Sequence, residues 1–281
     1  MIKPLTRRHA LHAAGALALA GPRLGAAPAS AGRLKQSAAR WCYAKIPLDD
    51  LCRQAAEMGL SGIDLVDQED WPTLKKYGLV PSLIPGTKHM PTGWNRPENH
   101  ERLTQEVHSL IQLAAAAKAP NVITMSGNRA GLSDEEGKLN CIAGLRKISK
   151  RAEDSGVTVC LELLNSKVNH KDYQCDHTAW AVDVIKGVES PRVRVLYDIY
   201  HMQIMEGDII RTIRDNFQYI AHFHTGGVPG RNELDDTQEL RWGTIAKAIA
   251  DLGYQGYIAH EFVPTKDPMT SLRQAVRECT V

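Results

Sequence analysis

After about residue 35, hydrophobic and polar positions change period in a regular way. Short runs of β-branched and apolar residues alternate with longer stretches whose apolar positions fall three and four apart, the pattern of parallel βα units. The runs predict strands at 38–42, 62–65, 80–83, 122–125, 157–163, 193–197, 220–224 and 257–261. Between the first two, Leu48, Leu51, Cys52, Ala55, Ala56 and Met58 mark one buried helix face, closed by Gly59. Segments 103–119 and 135–152 read the same way, the second with Ser133 as N-cap, Glu136 completing a capping box and Gly156 ending the turn. Eight units without a Pro/Ser-rich break across residues 36–281 predict one domain, an α/β fold of the (β/α)8 TIM barrel type. An open doubly wound sheet would bring a Gly-rich loop after the first strand, where this chain has Tyr43-Ala44-Lys45-Ile46-Pro47.

Composition sets the class around this pattern. With 281 residues, 43% hydrophobic and 23% charged, the chain has the balance of a soluble globular protein, which excludes disorder, collagen and coiled coil. The formal net charge is +2, but residues 1–31 contribute Lys3, Arg7, Arg8 and Arg23 and no acid, so the remainder carries −2. Such a barrel has no global attraction for nucleic acid. The six cysteines lie far apart without a C-x-x-C pair, so neither a thiolate zinc site nor a dense disulfide framework is encoded. Residues 1–31 combine adjacent arginines, an Ala/Leu/Gly run and small residues in A-x-A spacing, which predicts a twin-arginine-like export signal. The apolar run is shorter than the roughly 20 residues a span requires, so stable membrane insertion is not expected. On this reading the protein is exported to the periplasm, and cytoplasmic only if the signal is not used.

In a barrel, chemistry collects where strands exit at their C-terminal ends. Strand five sets Glu162 among apolar neighbours, strand six ends on Asp198, strand seven on His224 and strand eight on Glu261. Singly, each has a structural explanation: a cap, a partner for arginine, a satisfied core histidine. A buried carboxylate is costly unless neutralised, paired or metal-bound, however, and three of them with one imidazole on successive strand ends predict a divalent metal site. The set Glu162, Asp198, His224 and Glu261 suits Mn²⁺ or Mg²⁺, with Co²⁺ or Zn²⁺ also accommodated. Alternation turns His222 and His224 to the same inward side, with His224 nearer the rim as the ligand and His222 a layer below as a hydrogen-bonded partner. His260, one step out of phase with Glu261, should face the helices.

At these residues the chain resembles the sugar isomerase/epimerase superfamily, with its xylose isomerase-like TIM barrel, and most closely the hydroxypyruvate isomerase family. The motifs that carry the resemblance are Glu162-Leu163-Leu164-Asn165, Tyr197-Asp198-Ile199-Tyr200-His201-Met202-Gln203, Gly226-Gly227-Val228-Pro229-Gly230-Arg231-Asn232-Glu233 and Glu261-Phe262-Val263-Pro264. The similarity extends over nearly all of residues 36–281. It implies that Glu162, Asp198, His224 and Glu261 hold the metal, and that the two glutamates also serve as acid and base on opposite faces of the substrate. It also implies that His201, Arg231 and Asn165 bind substrate, His201 at a substrate oxygen. One departure stands: hydroxypyruvate isomerases often show Gln where this chain has His224, while ketose epimerases show His.

The expected activity is isomerisation of a small α-hydroxycarbonyl compound through an enediol, of the hydroxypyruvate to tartronate semialdehyde type. The expected partner is a small carbonyl or sugar substrate, with homo-oligomerisation compatible. Arg231 reads either as a bidentate clamp for a substrate carboxylate or as a surface arginine on a Pro-Gly loop. A ketose or keto-sugar 3-epimerase, or an inosose-type isomerase or lyase, would use the same metal core. A sugar-binding barrel would keep the pocket but need not keep two opposed glutamates. DNA repair on this barrel would need three clustered metals and a basic face, against the charge of −2. Loop 85–97 and segment 167–176 are long for barrel connections, and with Trp41 they bring His89, Trp94 and Lys171 as candidate wall residues.

Overall fold

The computed structural model describes residues 32–87 and 90–281, so the export signal read in 1–31, together with His89, lies outside the described residues. Strands β1 (Lys35–Ala39), β2 (Gly62–Asp64), β3 (Val80–Leu83), β4 (Asn121–Thr124), β5 (Thr158–Glu162), β6 (Val193–Asp198), β7 (Ile220–Thr225) and β8 (Tyr257–His260) are all parallel. They form one sheet in the order β3-β2-β1-β8-β7-β6-β5-β4. Its two edges meet through Ile84, whose N–H donates to Asn121 O at 2.9 Å and whose carbonyl accepts from Ile123 N–H at 3.2 Å. The sheet is therefore a barrel, and the open alternative does not apply.

Helices α1 (Leu48–Glu57), α2 (Trp71–Lys76), α3 (His100–Ala117), α4 (Asp134–Ser155), α5 (Thr178–Val188), α6 (Ile199–Met205), α7 (Ile209–Asn216), α8 (Trp242–Asp251) and α9 (Pro268–Cys279) lie between and after the strands. Local signals set their ends. Ser133 Oγ accepts from Glu136 N–H at 3.1 Å to start α4, and Gly156 at φ 68° stops it. No helix among the described residues is long and apolar enough to cross a membrane.

The first strand differs from its expected span. Pairing with β2 and β8 ends at Ala39, and Arg40–Tyr43 turn instead in a short 3-10 segment closed by Arg40 Nη1 donating to Tyr43 O at 2.7 Å. The apolar Trp41-Cys42-Tyr43 run mimics a strand in sequence, yet it is the turn that carries Trp41 onto the C-terminal mouth. Elsewhere alternation holds. His260 faces outward, as expected, donating through Nε2 to Gln36 Oε1 at 2.8 Å while Gln36 Nε2 donates to Thr280 Oγ1 just past α9. Burial is the main cause that lowers the His260 pKa, to about 3, with Asp64 opposing it.

Two outcomes test this framework. A Cβ on Gly86 would sit 2.2 Å from Ile123 O, at the barrel seam. Gly86→Ala should therefore lower stability by about 1–3 kcal/mol, seen as a lower urea midpoint at unchanged m. His260 stays neutral when folded but takes a proton when unfolded. Stability should thus fall as pH drops from 6.5 toward 3, by at most about 1.4 kcal/mol per pH unit. His260→Gln should flatten that slope in pH-dependent urea titrations.

Candidate active site

Glu162, Asp198, His224 and Glu261 converge: each offers one ligand atom, and these atoms all lie within 4.8 Å of one another in a fully buried cluster. Parallel pairing sets Asp198 directly beside His224. The His224 ring stands between two groups of acids. Its Nδ1 lies 2.7 Å from Glu261 Oε2, 3.5 Å from Glu162 Oε1 and 3.9 Å from Asp198 Oδ2, and it is buried without an aligned hydrogen bond. Its Nε2 faces Asp64 Oδ2 at 3.4 Å. An imidazole that turns one nitrogen to a backing carboxylate and the other to a set of hard oxygens has the arrangement of a metal ligand, so these residues fit a divalent cation.

Asp64 is the residue that sequence reasoning missed. Its Oδ1 accepts from Ser37 Oγ at 2.7 Å and from Ser82 Oγ, and its Oδ2 accepts from His222 Nε2 at 2.5 Å. Asn121 Nδ2, 3.4 Å from His222 Nδ1, occupies the other side of that ring. Burial works to raise the Asp64 pKa, but His222 and His224 outweigh it and hold the carboxyl far below its usual range. Asp64, His222 and His224 form a second buried cluster of ligand types, but its carboxylate is saturated by protein donors. The strand Gly62-Ile63-Asp64 ends on an acid just as β6 does, and the same inspection of strand ends would have found it.

Arg231 is not a surface residue. From the loop after β7 it reaches into the cluster, where Nη2 donates to Asp198 Oδ2 at 2.9 Å and Glu261 Oε2 at 2.5 Å and Nε donates to Glu261 O at 3.2 Å. Its guanidinium lies between the rings of Trp41 and Tyr200, 5.5 and 5.4 Å from their centroids. Trp41 Nε1 in turn donates to Glu261 Oε1 at 2.6 Å. His201 lies against Asp198, with Nε2 3.7 Å from Oδ2. Asn165 is fully buried beside it, and both ends of its amide bond to protein groups. Trp94 is a packing anchor, fully buried with Nε1 donating to Thr124 Oγ1 at 2.7 Å.

The two glutamates are pushed apart electrically. Burial, then the Glu261 and Asp198 charges, raise Glu162 to about 7 against the pull of His224. Glu261 is equally buried, yet Arg231, His224 and the Trp41 hydrogen bond hold it well below its usual range. Burial and Glu261 raise Asp198 despite Arg231. For His224, burial disfavours the charge, but Glu261 and the contacts with Asp64 and Glu162 raise its pKa well above 6.5. A neighbouring pair of carboxyls with opposed shifts is an arrangement for proton transfer.

Comparison with known proteins agrees with this architecture. Residues 52–279 match the xylose isomerase-like TIM barrel family. The chain is similar to D-psicose 3-epimerase from Ruminiclostridium cellulolyticum, at 36% identity over 43% of this chain and 39% of that protein. It is also similar to putative hydroxypyruvate isomerase from Homo sapiens, at 24% identity over 83% of this chain and 80% of that protein. The first curated relatives are matched over 43% and 39% of their own length. Among solved structures, an AP endonuclease, family 2, from Brucella melitensis superimposes with a TM-score of 0.76 at 25% identity, over 85% of this chain and 97% of that one.

Removing the backing carboxylate tests the geometry. Asp64→Ala leaves Ser37, Ser82 and His222 without their buried acceptor, and should cost roughly 3–5 kcal/mol in urea unfolding.

Proposed function

The chain belongs to the xylose isomerase-like TIM barrel family, and from that premise we propose that it is a divalent-metal-dependent isomerase of a small α-hydroxycarbonyl compound, of the hydroxypyruvate isomerase type. The observation that carries this reading is the meeting of three carboxylates and the His224 imidazole, its Nδ1 turned toward them, in one buried cluster at the strand ends. Glu162, Asp198, His224 and Glu261 would hold Mn²⁺ or Mg²⁺. A cation there supplies Lewis acidity toward the substrate's carbonyl and neighbouring hydroxyl oxygens.

The remaining chemistry belongs to side chains. Glu261, kept ionised by Arg231 and His224 and steadied by Trp41, takes the proton from the carbon beside the carbonyl. Glu162, the second glutamate of the cluster, is its counterpart and returns a proton to give the isomer through an enediol. His201 and Arg231 contact substrate oxygens beside them. The charge of −2 on residues 32–281 supports a small-molecule substrate over the DNA chemistry in the name of the Brucella melitensis protein.

A second reading, a ketose 3-epimerase, has its own observation. Arg231 has spent Nε and Nη2 on Glu261 and Asp198, so the edge that would grip a substrate carboxylate bidentately is engaged, which favours a neutral ketose over a keto acid.

Solvent exchange of the substrate's α-proton, followed in D2O with hydroxypyruvate and with D-psicose, tests both readings. Chelation should abolish exchange and turnover, and added Mn²⁺ should restore them. Glu261→Gln should lower kcat by roughly 10²–10⁴-fold. Undiminished turnover after exhaustive chelation, or no exchange with any α-hydroxycarbonyl compound, would reject the isomerase. Glu162 must shed a proton held up to about 7 before it can ligate, so Mn²⁺ affinity should weaken as pH falls below that value, read by calorimetry.

A further inference from the structure

His201 follows Asp198 by three residues, at the first turn of α6, and its backbone N–H donates to Asp198 Oδ1 at 3.1 Å. What decides the polarity of its ring is Asn165, on the far side from the cluster. His201 Nδ1 meets two N–H donors, the Asn165 backbone at 3.1 Å and Asn165 Nδ2 at 2.7 Å. The amide cannot be turned round. Its Oδ1 already accepts from Val168 N–H at 3.0 Å and Asn169 N–H at 2.9 Å, and its Nδ2 also donates to Asn169 Oδ1 at 2.8 Å. Asn169 Oδ1 is itself held by the Tyr200 hydroxyl at 2.8 Å. Rings on two sides, Tyr200 at 5.0 Å and His170 at 5.2 Å between centroids, confine the imidazole.

A nitrogen that faces only donors presents its lone pair, so the ring proton sits on Nε2. That Nε2 is fully buried and has no hydrogen-bond partner among the described residues; Asp198 Oδ2 lies 3.7 Å away. A buried N–H left unpaired carries a desolvation penalty, which an incoming acceptor recovers. Resting on the isomerase reading above, we infer that Asn165 is a positioning residue: it holds His201 as a neutral imidazole whose Nε2–H is presented to an acceptor oxygen of the substrate. The group recognised there is a carbonyl or hydroxyl oxygen, and a cationic donor such as an amine is refused. The bond strengthens as negative charge grows on that oxygen while the neighbouring C–H proton leaves, so its effect falls on kcat more than on KM. Asn165 reaches the substrate through His201 alone, since its own donors and acceptor are all engaged.

Two substitutions separate this role from a merely structural one. Asn165→Asp keeps an acceptor for the Val168 and Asn169 N–H groups, and so keeps the turn, but sets a carboxylate oxygen against Nδ1. Asn165→Ala loses the turn's acceptor yet leaves the backbone N–H on Nδ1. The readout is ¹⁵N-histidine NMR of the Mg²⁺-loaded full chain, with the His201 signals identified by their loss in His201→Gln. The expected result is a bare Nδ1 and a protonated Nε2 in the wild type and in Asn165→Ala, with the proton drawn to Nδ1 in Asn165→Asp. Turnover should follow the same order, kcat falling roughly 100-fold in Asn165→Asp and less in Asn165→Ala. A wild-type ring protonated at Nδ1 overturns the inference, and so does an Asn165→Ala enzyme more impaired than Asn165→Asp. If the wild type converts no α-hydroxycarbonyl compound, the isomerase reading fails, while the nitrogen signals still decide the tautomer.

Discussion

Three carboxylates held out of water at neighbouring strand ends cost several kcal/mol each unless positive charge is placed against them, and the mouth of this barrel is built around that requirement. Arg231 meets Asp198 and Glu261 from above, and His224 meets Glu261 and Glu162 from the side. The loop after β7 is shaped by this task. Arg231 takes φ 60°, its N–H donates to Gly227 O at 2.8 Å, and its carbonyl accepts from Val263 N–H at 2.7 Å, which ties it to the loop after β8. Glu233 adds a second tie, accepting from the backbone N–H groups of Thr265 and Lys266 and from Ser271 Oγ. A guanidinium anchored this firmly can neutralise buried acids without losing the entropy of a free side chain.

Polarity at the mouth is decided one layer lower. TIM barrel interiors are ordinarily filled with branched apolar side chains, and here Leu83, Ile123, Cys160 and Leu196 do fill one part. The other part is a polar plug of Ser37, Asp64, Ser82, Asn121 and His222, all buried. Asp64 has only acceptors to offer, so the imidazoles around it turn N–H toward it. Once His224 gives up its second proton, as holding a cation requires, the lone pair is therefore at Nδ1 and directed at the other three residues. Asn165 does the reverse to His201, with donors on Nδ1 that leave the proton on Nε2. Two histidines of the same site thus have opposite electrical character, one a lone pair and one a donor, each set by a neighbour on its far side.

Much of this was legible in the chain because strand alternation and strand ends are local signals. Glu162, Asp198 and His224 lie on one face of their strands by period two, and parallel neighbours bring successive ends together, so their meeting with Glu261 follows from counting. Asp64 obeys the same rule, but the run 62–65 reads as a strand ending on the apolar Leu65, which hides the acid one position earlier. Trp41 is a candidate wall residue in the sequence, but the turn that places it is hidden by composition, since an aromatic and apolar run reads as strand where the chain in fact turns. The depth of Arg231 could not be read at all. Nothing in Pro229-Gly230-Arg231 shows whether the side chain points outward or inward, because a left-handed backbone at a non-glycine residue is imposed by contacts with Gly227 and Val263.

The same accounting of hydrogen-bond capacity bears on substrate identity. A guanidinium recognises a carboxylate best by presenting two parallel N–H groups along one edge. At Arg231 the edge formed by Nε and Nη2 is committed to Glu261 and Asp198, so a carboxylate could take it only by displacing a pairing that keeps two buried acids ionised. A hydroxyl or carbonyl oxygen makes no such demand, because a single remaining N–H suffices. His201 asks for the same kind of group, offering one donor. On the ketose reading, Arg231 and His201 would therefore converge on oxygens that carry no full charge until the α-proton departs. In the proposed reaction, charge that develops only as the proton leaves would meet donors already in place, directing binding strength to the transition state rather than to the substrate.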